Sequence, residues 1–234
     1  MKHLIETTNP SGLATVPYDR IVLDSTENDV IVKGGGYEYV DLGLPSRLKW
    51  AKCNVGAKTE TDCGDYFQWG DIEDKSKSNC NWTNYKYGNV LNISKYNTGL
   101  DDVGGTIDNK TTLDTEDDAA TQIMGGDWRV PTQTEFQELL KNTNREWVED
   151  FNGSGVSGRK FTSKTDKSKY IFIPAAGNCY GGSVYNVGYS GSVWSSSLYA
   201  SDSLHAWYLY FHSDNCFMDD DSRCVGLSIR PVMG

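Results

Sequence analysis

Ala206-Trp207-Tyr208-Leu209-Tyr210-Phe211-His212-Ser213 alternates two kinds of side chain, with Trp207, Leu209 and Phe211 separated by Tyr208, Tyr210 and His212. A strand sends successive side chains to opposite faces. The stretch therefore reads as a strand with Trp207, Leu209 and Phe211 as a buried frame and Tyr208, Tyr210 and His212 as a displayed row. From Ala176 to Gly234 the surrounding segment contains no Lys, Glu or Gln, although all three are scattered through Met1 to Ala175. Solvent-facing surfaces use these side chains freely, so something other than solubility has selected this segment. Tyr, Ser, Asp, Asn, His, Cys and Gly take their place.

Upstream of this segment the signals change to those of helices. Thr132-Gln133-Thr134-Glu135 has capping-box spacing ahead of Phe136, Leu139 and Leu140, with Pro131 before the cap. A second helix is predicted over Asp114 to Met124, where acidic residues come early, Ala119, Ala120, Ile123 and Met124 form an apolar face, and Gly125-Gly126 stops it. Tyr170 to Pro174 reads as a strand, and Lys58 to Lys110 as a loop-rich polar middle. Two helices among several short antiparallel strands and many loops predict an α+β domain.

Residues 1 to 36 read as a separate attachment or oligomerisation segment ahead of a domain over 37 to 234. Arg20 to Asp24 and Asp29 to Lys33 are short β-like runs around a turn at Ser25-Thr26-Glu27-Asn28, and Gly34-Gly35-Gly36 is a flexible joint. Two strands alone cannot bury a core. This β appendage is expected to dock or to build a homo-oligomer, a trimer being plausible, unless it is an ordinary strand pair of the main domain.

The chain of 234 residues has a formal charge of -10 and a pI near 4.7. Phosphate binding needs a basic footprint, so nucleic acid is an unsuitable partner, and so is an anionic membrane surface. No apolar run is long enough to insert into a bilayer. Met1 to Glu6 has no apolar h-region, so the chain is expected to be used without export or to have lost an export signal. Cys53, Cys63, Cys80, Cys179, Cys216 and Cys224 permit three disulfides. Their spacings match no common zinc pattern, and a chain of this length does not need staples to fold, so mostly free thiols are expected. Sequons at Asn81, Asn92, Asn109 and Asn152 matter only in a eukaryotic secretory setting.

Catalysis is the weaker class. His205 and His212 lie in the unusual segment and His3 at the N-terminus, and none has an evident orienting partner for a nucleophile triad or a zinc site. No nucleophile elbow, His-Glu-x-x-His helix or phosphate loop is present. Asp202, Asp214, Asn215, Asp219, Asp220 and Asp221 could offer oxygen ligands to calcium, but their spacing is not that of an EF-hand loop, and a solvated acidic run is the expectation. No cofactor or metal is expected. Trp50, Trp69, Trp128 and Trp194 are assigned to the core rather than to a sugar-stacking platform.

Gly126-Asp127-Trp128-Arg129-Val130-Pro131-Thr132, Ile173-Pro174-Ala175-Ala176-Gly177, Trp194-Ser195-Ser196-Ser197 and Ser228-Ile229-Arg230-Pro231-Val232 together resemble the Fibrobacter succinogenes major paralogous domain family of gut bacteria and their phages. Tyr39 to Pro45 and Trp50 to Gly56 are similar to that domain's opening, so the likeness runs from about Tyr37 to Val232. It implies a C-type-lectin-like fold. A subset of such domains are the variable proteins of diversity-generating retroelements, in which adenines of a template are copied with errors into the C-terminal coding segment. An AAC codon varied at both adenines becomes an NNC codon, which never encodes Lys, Glu, Gln, Met or Trp.

The resemblance therefore implies a variable region over about 179 to 229, with Trp194, Trp207, Leu209, Phe211, Met218 and Arg230 as fixed frame. The displayed, ligand-binding face is expected at Tyr185, Tyr189, Ser192, Val193, Tyr199, Leu204, His205, Tyr208, Tyr210, His212, Cys216, Phe217, Asp219, Asp220, Asp221, Ser222, Cys224, Val225 and Leu227. Some of these, Leu227 or Val225 first, are open to folding inward instead. Formylglycine-generating enzymes share the fold and use a close pair of C-terminal cysteines, which Cys216 and Cys224 imitate without an evident activating base. The expected function is a non-enzymatic adhesin or phage tail-tip receptor-binding protein, taking a cell-surface protein or glycan. It would sit at a virion tail tip, or else at a bacterial surface or pilus tip. The alternative is a non-diversified surface or pilus structural subunit.

Overall fold

The computed structural model describes residues 33–34, 36–75 and 79–234. The β-like run expected at Arg20 to Asp24, and all but Lys33 of the one expected at Asp29 to Lys33, lie outside the described residues, as does nearly all of the expected oligomerisation segment. The chain is an α+β protein. Strands β1 (Lys33–Gly34), β2 (Tyr37–Asp41) and β3 (Lys49–Ala51) run antiparallel, joined late in the chain by β15 (Val232–Met233), which pairs Val232 with Trp50. Both ends of the domain thus close in one sheet. Gly34, expected in a flexible joint, is instead paired with Tyr37, and Gly36 makes the turn with φ +83°.

Among its described residues the loop-rich middle contains three short strands, β4 (Gly88–Asn89), β5 (Asn92–Ile93) and β6 (Gly104–Gly105). The first expected helix is broken. Thr115–Asp117 is one turn of 3-10 helix, Asp118 is extended, and α1 spans only Ala119–Met124. Asp118 is the reason: its carboxylate accepts from the Thr121 and Val130 backbone N–H groups, capping α1 from a non-helical conformation. The second helix, α2 (Gln133–Asn142), starts where the sequence places it. Thr132 and Glu135 form the reciprocal capping box, and Arg129 fixes Glu135 with two hydrogen bonds of 2.7 and 2.6 Å.

An antiparallel sheet follows, made of β7 (Thr143–Val148), β8 (Gly158–Ser163) and β9 (Tyr170–Pro174). The hairpin β10 (Asn178–Tyr180) and β11 (Ser183–Tyr185) leads into a last antiparallel sheet of β12 (Ser190–Leu198), β13 (His205–His212) and β14 (Cys216–Ser222), with β13 central. One core lies on each face of this sheet. Val193, Leu209 and Phe211 pack with Phe136 and Leu139 of α2, with Phe161, and with Trp50. Each such side chain contributes roughly 1.5–3 kcal/mol by leaving water. Trp194, Ala206 and Tyr208 face the other core, built from Trp69, Tyr85, Tyr87 and Tyr96 of the loop-rich middle. Gly191, paired with Phe211, leaves room for that ring: a Cβ there would lie 2.0 Å from it. Trp50, Trp69, Trp128 and Trp194 are each at most 1 % exposed. Among the described residues no helix is long and apolar enough to cross a membrane.

Candidate functional site

The register of the last sheet decides which candidate side chains share a face. Tyr210 stands opposite Ser192 on β12 and Phe217 on β14, Tyr208 opposite Trp194 and Asp219, and Ala206 opposite Asp221. These residues and His212 therefore project from one side. Their rings form a ladder. Trp194 and Tyr208 have centroids 6.0 Å apart, Tyr208 and Tyr210 6.1 Å, Tyr210 and His212 5.6 Å, and Tyr210 and Phe217 5.6 Å. All but the tilted Tyr210–His212 pair meet edge to face, as the ring quadrupole favours. The ladder is buried at Trp194, half-buried at Tyr210 and His212, and exposed at Phe217.

Exposure follows this gradient rather than the simple alternation read from the sequence. Leu209 and Phe211 are buried as framed, but Trp207 is half-exposed, its ring edge-on to Tyr199 at 5.0 Å. Tyr208, expected on display, is 8 % exposed because the second core covers its end of the sheet. Five further expected face residues are corrected in the same way. Val193 packs against α2, Ser192 is buried, and Cys224, Val225 and Leu227 belong to the second core. Alternation separates two faces of a strand but does not say whether both are covered.

The others lie at or near the surface. Tyr185 and Tyr189 are exposed, Tyr189 at 80 %. Leu204 is partly buried against the second core, and Cys216 packs partly against the first, α2-side core. His205, Asp220 and Ser222 project from the α2-side face at the far end of the sheet, where the His205 ring nitrogen Nδ1 and an Asp220 carboxylate oxygen are 2.8 Å apart. Strand alternation thus splits the acidic triplet. Asp219, opposite Tyr208, and Asp221, opposite Ala206, share the ladder face, and Asp220 points the other way, so the three do not converge on one ion. Burial raises the Asp221 carboxyl above the ordinary range, reinforced by Asp219 and Asp220. Burial also raises Tyr208, with Asp219 and Asp221 adding to it.

Cys216 packs partly against the α2-side core, whereas Cys224 lies in the other core. Burial pushes their thiols up to about 11 and about 12, so neither is a thiolate at neutral pH. Carboxylates of Asp114, Glu116 and Asp117 converge closely enough to hold a cation, but Lys95 Nζ stands there, 2.6 Å from Asp114, 3.1 Å from Glu116 and 2.6 Å from Asp117. A cleft of about 440 Å³, lined by Tyr37, Glu38, Cys53, Asn54, Lys58 and Met124 among others, shares no residue with the candidate face.

Three arginines hold the site in place, of which the sequence alone had put Arg230 in the frame. Arg159 hydrogen-bonds the carbonyls of His212 and Asn215, pinning the turn between β13 and β14. Arg223 is fully buried and donates to Tyr85 Oη and to the carbonyls of Tyr96, Ser203 and Lys95. Its guanidinium lies 4.9 to 6.0 Å from the ring centroids of Trp69, Tyr85, Tyr87 and Tyr96. Arg230, equally buried, donates to Asn54 and to the carbonyls of Ala51 and Phe172, and burial lowers it to about 10. A signal for the last two was in the sequence: they are the sole Lys or Arg residues after Ala176. With both inside, the segment carries no Lys or Arg charge to solvent while its aspartates remain partly exposed. No known protein family, no curated protein and no solved structure matches the chain.

Proposed function

We propose that the chain is a non-enzymatic receptor- or ligand-binding protein that displays a diversified surface on a C-type-lectin-like scaffold. The observation that carries this reading is the graded aromatic ladder. Its outer rungs, Tyr210, His212 and Phe217, stand beside Asp219 on a rigid sheet, with Tyr185 and Tyr189 exposed on the segment leading into that sheet. Tyrosine supplies broad amphipathic contact at low entropy cost, and acidic and hydroxyl groups add adaptable hydrogen bonds. An acidic, aromatic face suits a ligand rich in hydrogen-bond donors, such as a cell-surface protein or a glycan. Placement on a fibre, at a phage tail tip or on a bacterial surface, would multiply weak contacts by avidity.

Burial narrows the positions that diversification can use. A random side chain at Leu227, Cys224 or Val193 would disrupt a close-packed core. The usable set is thus Tyr185, Tyr189, Tyr199, Leu204, His205, Tyr210, His212, Cys216, Phe217, Asp219, Asp220, Asp221 and Ser222. Sequencing the gene tests the reading. Third-base C is expected at these codons, together with a nearby template copy carrying AAC at most of them. Third bases no more biased than those of Met1 to Ala175 would overturn it.

A further inference from the structure

Cys80 and Cys179 lie 99 residues apart in sequence, yet their sulfurs are 3.2 Å apart. Both are fully buried in a small satellite core with Tyr66 and Ala176. Both thiols also face one acceptor, the Lys75 carbonyl, at 3.8 and 3.5 Å. The backbone builds this approach. Cys179 exchanges two hydrogen bonds with Gly226, of 2.7 and 2.9 Å, so β10 is held against the segment after β14. A Cβ on Gly226 would fall 2.6 Å from the Cys80 sulfur and 3.0 Å from the Cys179 Cβ, so glycine there keeps the space the two sulfurs occupy. A disulfide bond is about 2.05 Å long, and small side-chain rotations cover the difference.

We infer that Cys80 and Cys179 are a built disulfide site, reduced in a thiol-rich compartment and closed by a small-molecule disulfide in an oxidising one. In the closing reaction one cysteine gives up its proton, attacks a sulfur of the oxidant as the thiolate and expels one thiolate, which takes up that proton to become a thiol. The second cysteine thiolate then attacks the protein sulfur of that mixed disulfide and expels the other. The protein loses two protons and two electrons, and the oxidant is reduced to two thiols. The link would staple the β10–β11 hairpin, which carries Tyr180 and Tyr185, to the loop at Cys80. Burial and the neighbouring thiol raise the Cys80 pKa, in keeping with a pair that closes during folding, before the satellite core is shut.

The test uses the full chain produced once in an oxidising and once in a reducing compartment, with free thiols alkylated before peptide mapping. A Cys80–Cys179 peptide is expected in the oxidised sample alone, and Cys224→Ser is expected to retain it. Full alkylation of both cysteines in the oxidised sample, or a link that uses Cys224, overturns the inference. Stapling a loop of this length should also raise Tm by about 5 to 10 °C over the reduced chain. A linked chain that melts with the reduced one removes the stapling role.

Discussion

The loop-rich stretch from Tyr85 to Asp118 and the β12–β14 sheet are ordered by opposite means. The stretch has few backbone ladders, so its rigidity comes from buried charge. Arg223 bonds three of its residues, and Asp117 accepts from Lys86 at 2.8 Å, Lys95 at 2.6 Å and Tyr96 Oη at 2.6 Å. The sheet is held by its own ladder and by one apolar face, and its other face grades from core to solvent. Side-chain identity is therefore critical in the irregular region and permissive along the outer sheet.

Arg223→Met is the severest way to break this contrast. It leaves three carbonyls and the Tyr85 hydroxyl short of a buried donor, and a loss of about 3–5 kcal/mol is expected in urea unfolding. A loss under about 1 kcal/mol would mean that the loops are ordered by something else. Asp117→Asn comes next, at about 2 kcal/mol, because it removes two ion pairs from a buried carboxylate whose lysine partners are partly solvated.

Burial alone would raise the Asp117 carboxyl, but hydrogen bonds from Lys86, Lys95, Tyr87 and Tyr96 outweigh it and hold it well below the carboxylate range. A depressed folded pKa gives stability that is present above the unfolded value, about 3.9, and is lost as pH falls toward the folded one. Wild type should therefore lose stability below about pH 4 more steeply than Asp117→Asn, as read by unfolding at stepped pH. Asp221 has the opposite sign. Its carboxyl is raised by burial, so Asp221→Asn should gain stability at neutral pH, by under about 1 kcal/mol, and the gain should vanish below about pH 4. Equal pH profiles for the two variants would erase the contrast between the regions.

The smallest stability effects belong to the outer rungs. Tyr210→Ser and Phe217→Ser should each change unfolding free energy by about 1 kcal/mol or less. Against a ligand captured on this face, the same changes should weaken binding about tenfold or more, measured by titration calorimetry. A large stability loss with unchanged affinity would return these side chains to the core.

Much of the architecture was legible because it rests on local chemistry. The Thr132–Glu135 capping box, the β9 strand and the core tryptophans are set by residues close in sequence or by bulk. The first helix was misread because acidic residues before an apolar face resemble a first turn, whereas Asp118 caps from an extended backbone and Glu116 and Asp117 bind lysines. The candidate face was half legible. Alternation put Tyr210 and His212 on one side of the strand and the resemblance added Phe217, but neither could tell that Ser192, Val193, Tyr208 and Cys224 are covered by segments distant in the chain, as are Val225 and Leu227, which had been left open to folding inward.

By itself the sequence determined the α+β class, the α2 start, the strand period of Ala206 to His212 and the chemical menu of a segment without Lys, Glu or Gln. Tertiary structure decided which face of that strand reaches water, where Arg223 and Arg230 lie, and that Cys80 meets Cys179. The division is physical. Propensity, capping and side-chain period act over a few residues and are written in order along the chain. Burial depends on what other segments bring to the same place, and only the folded chain sets that.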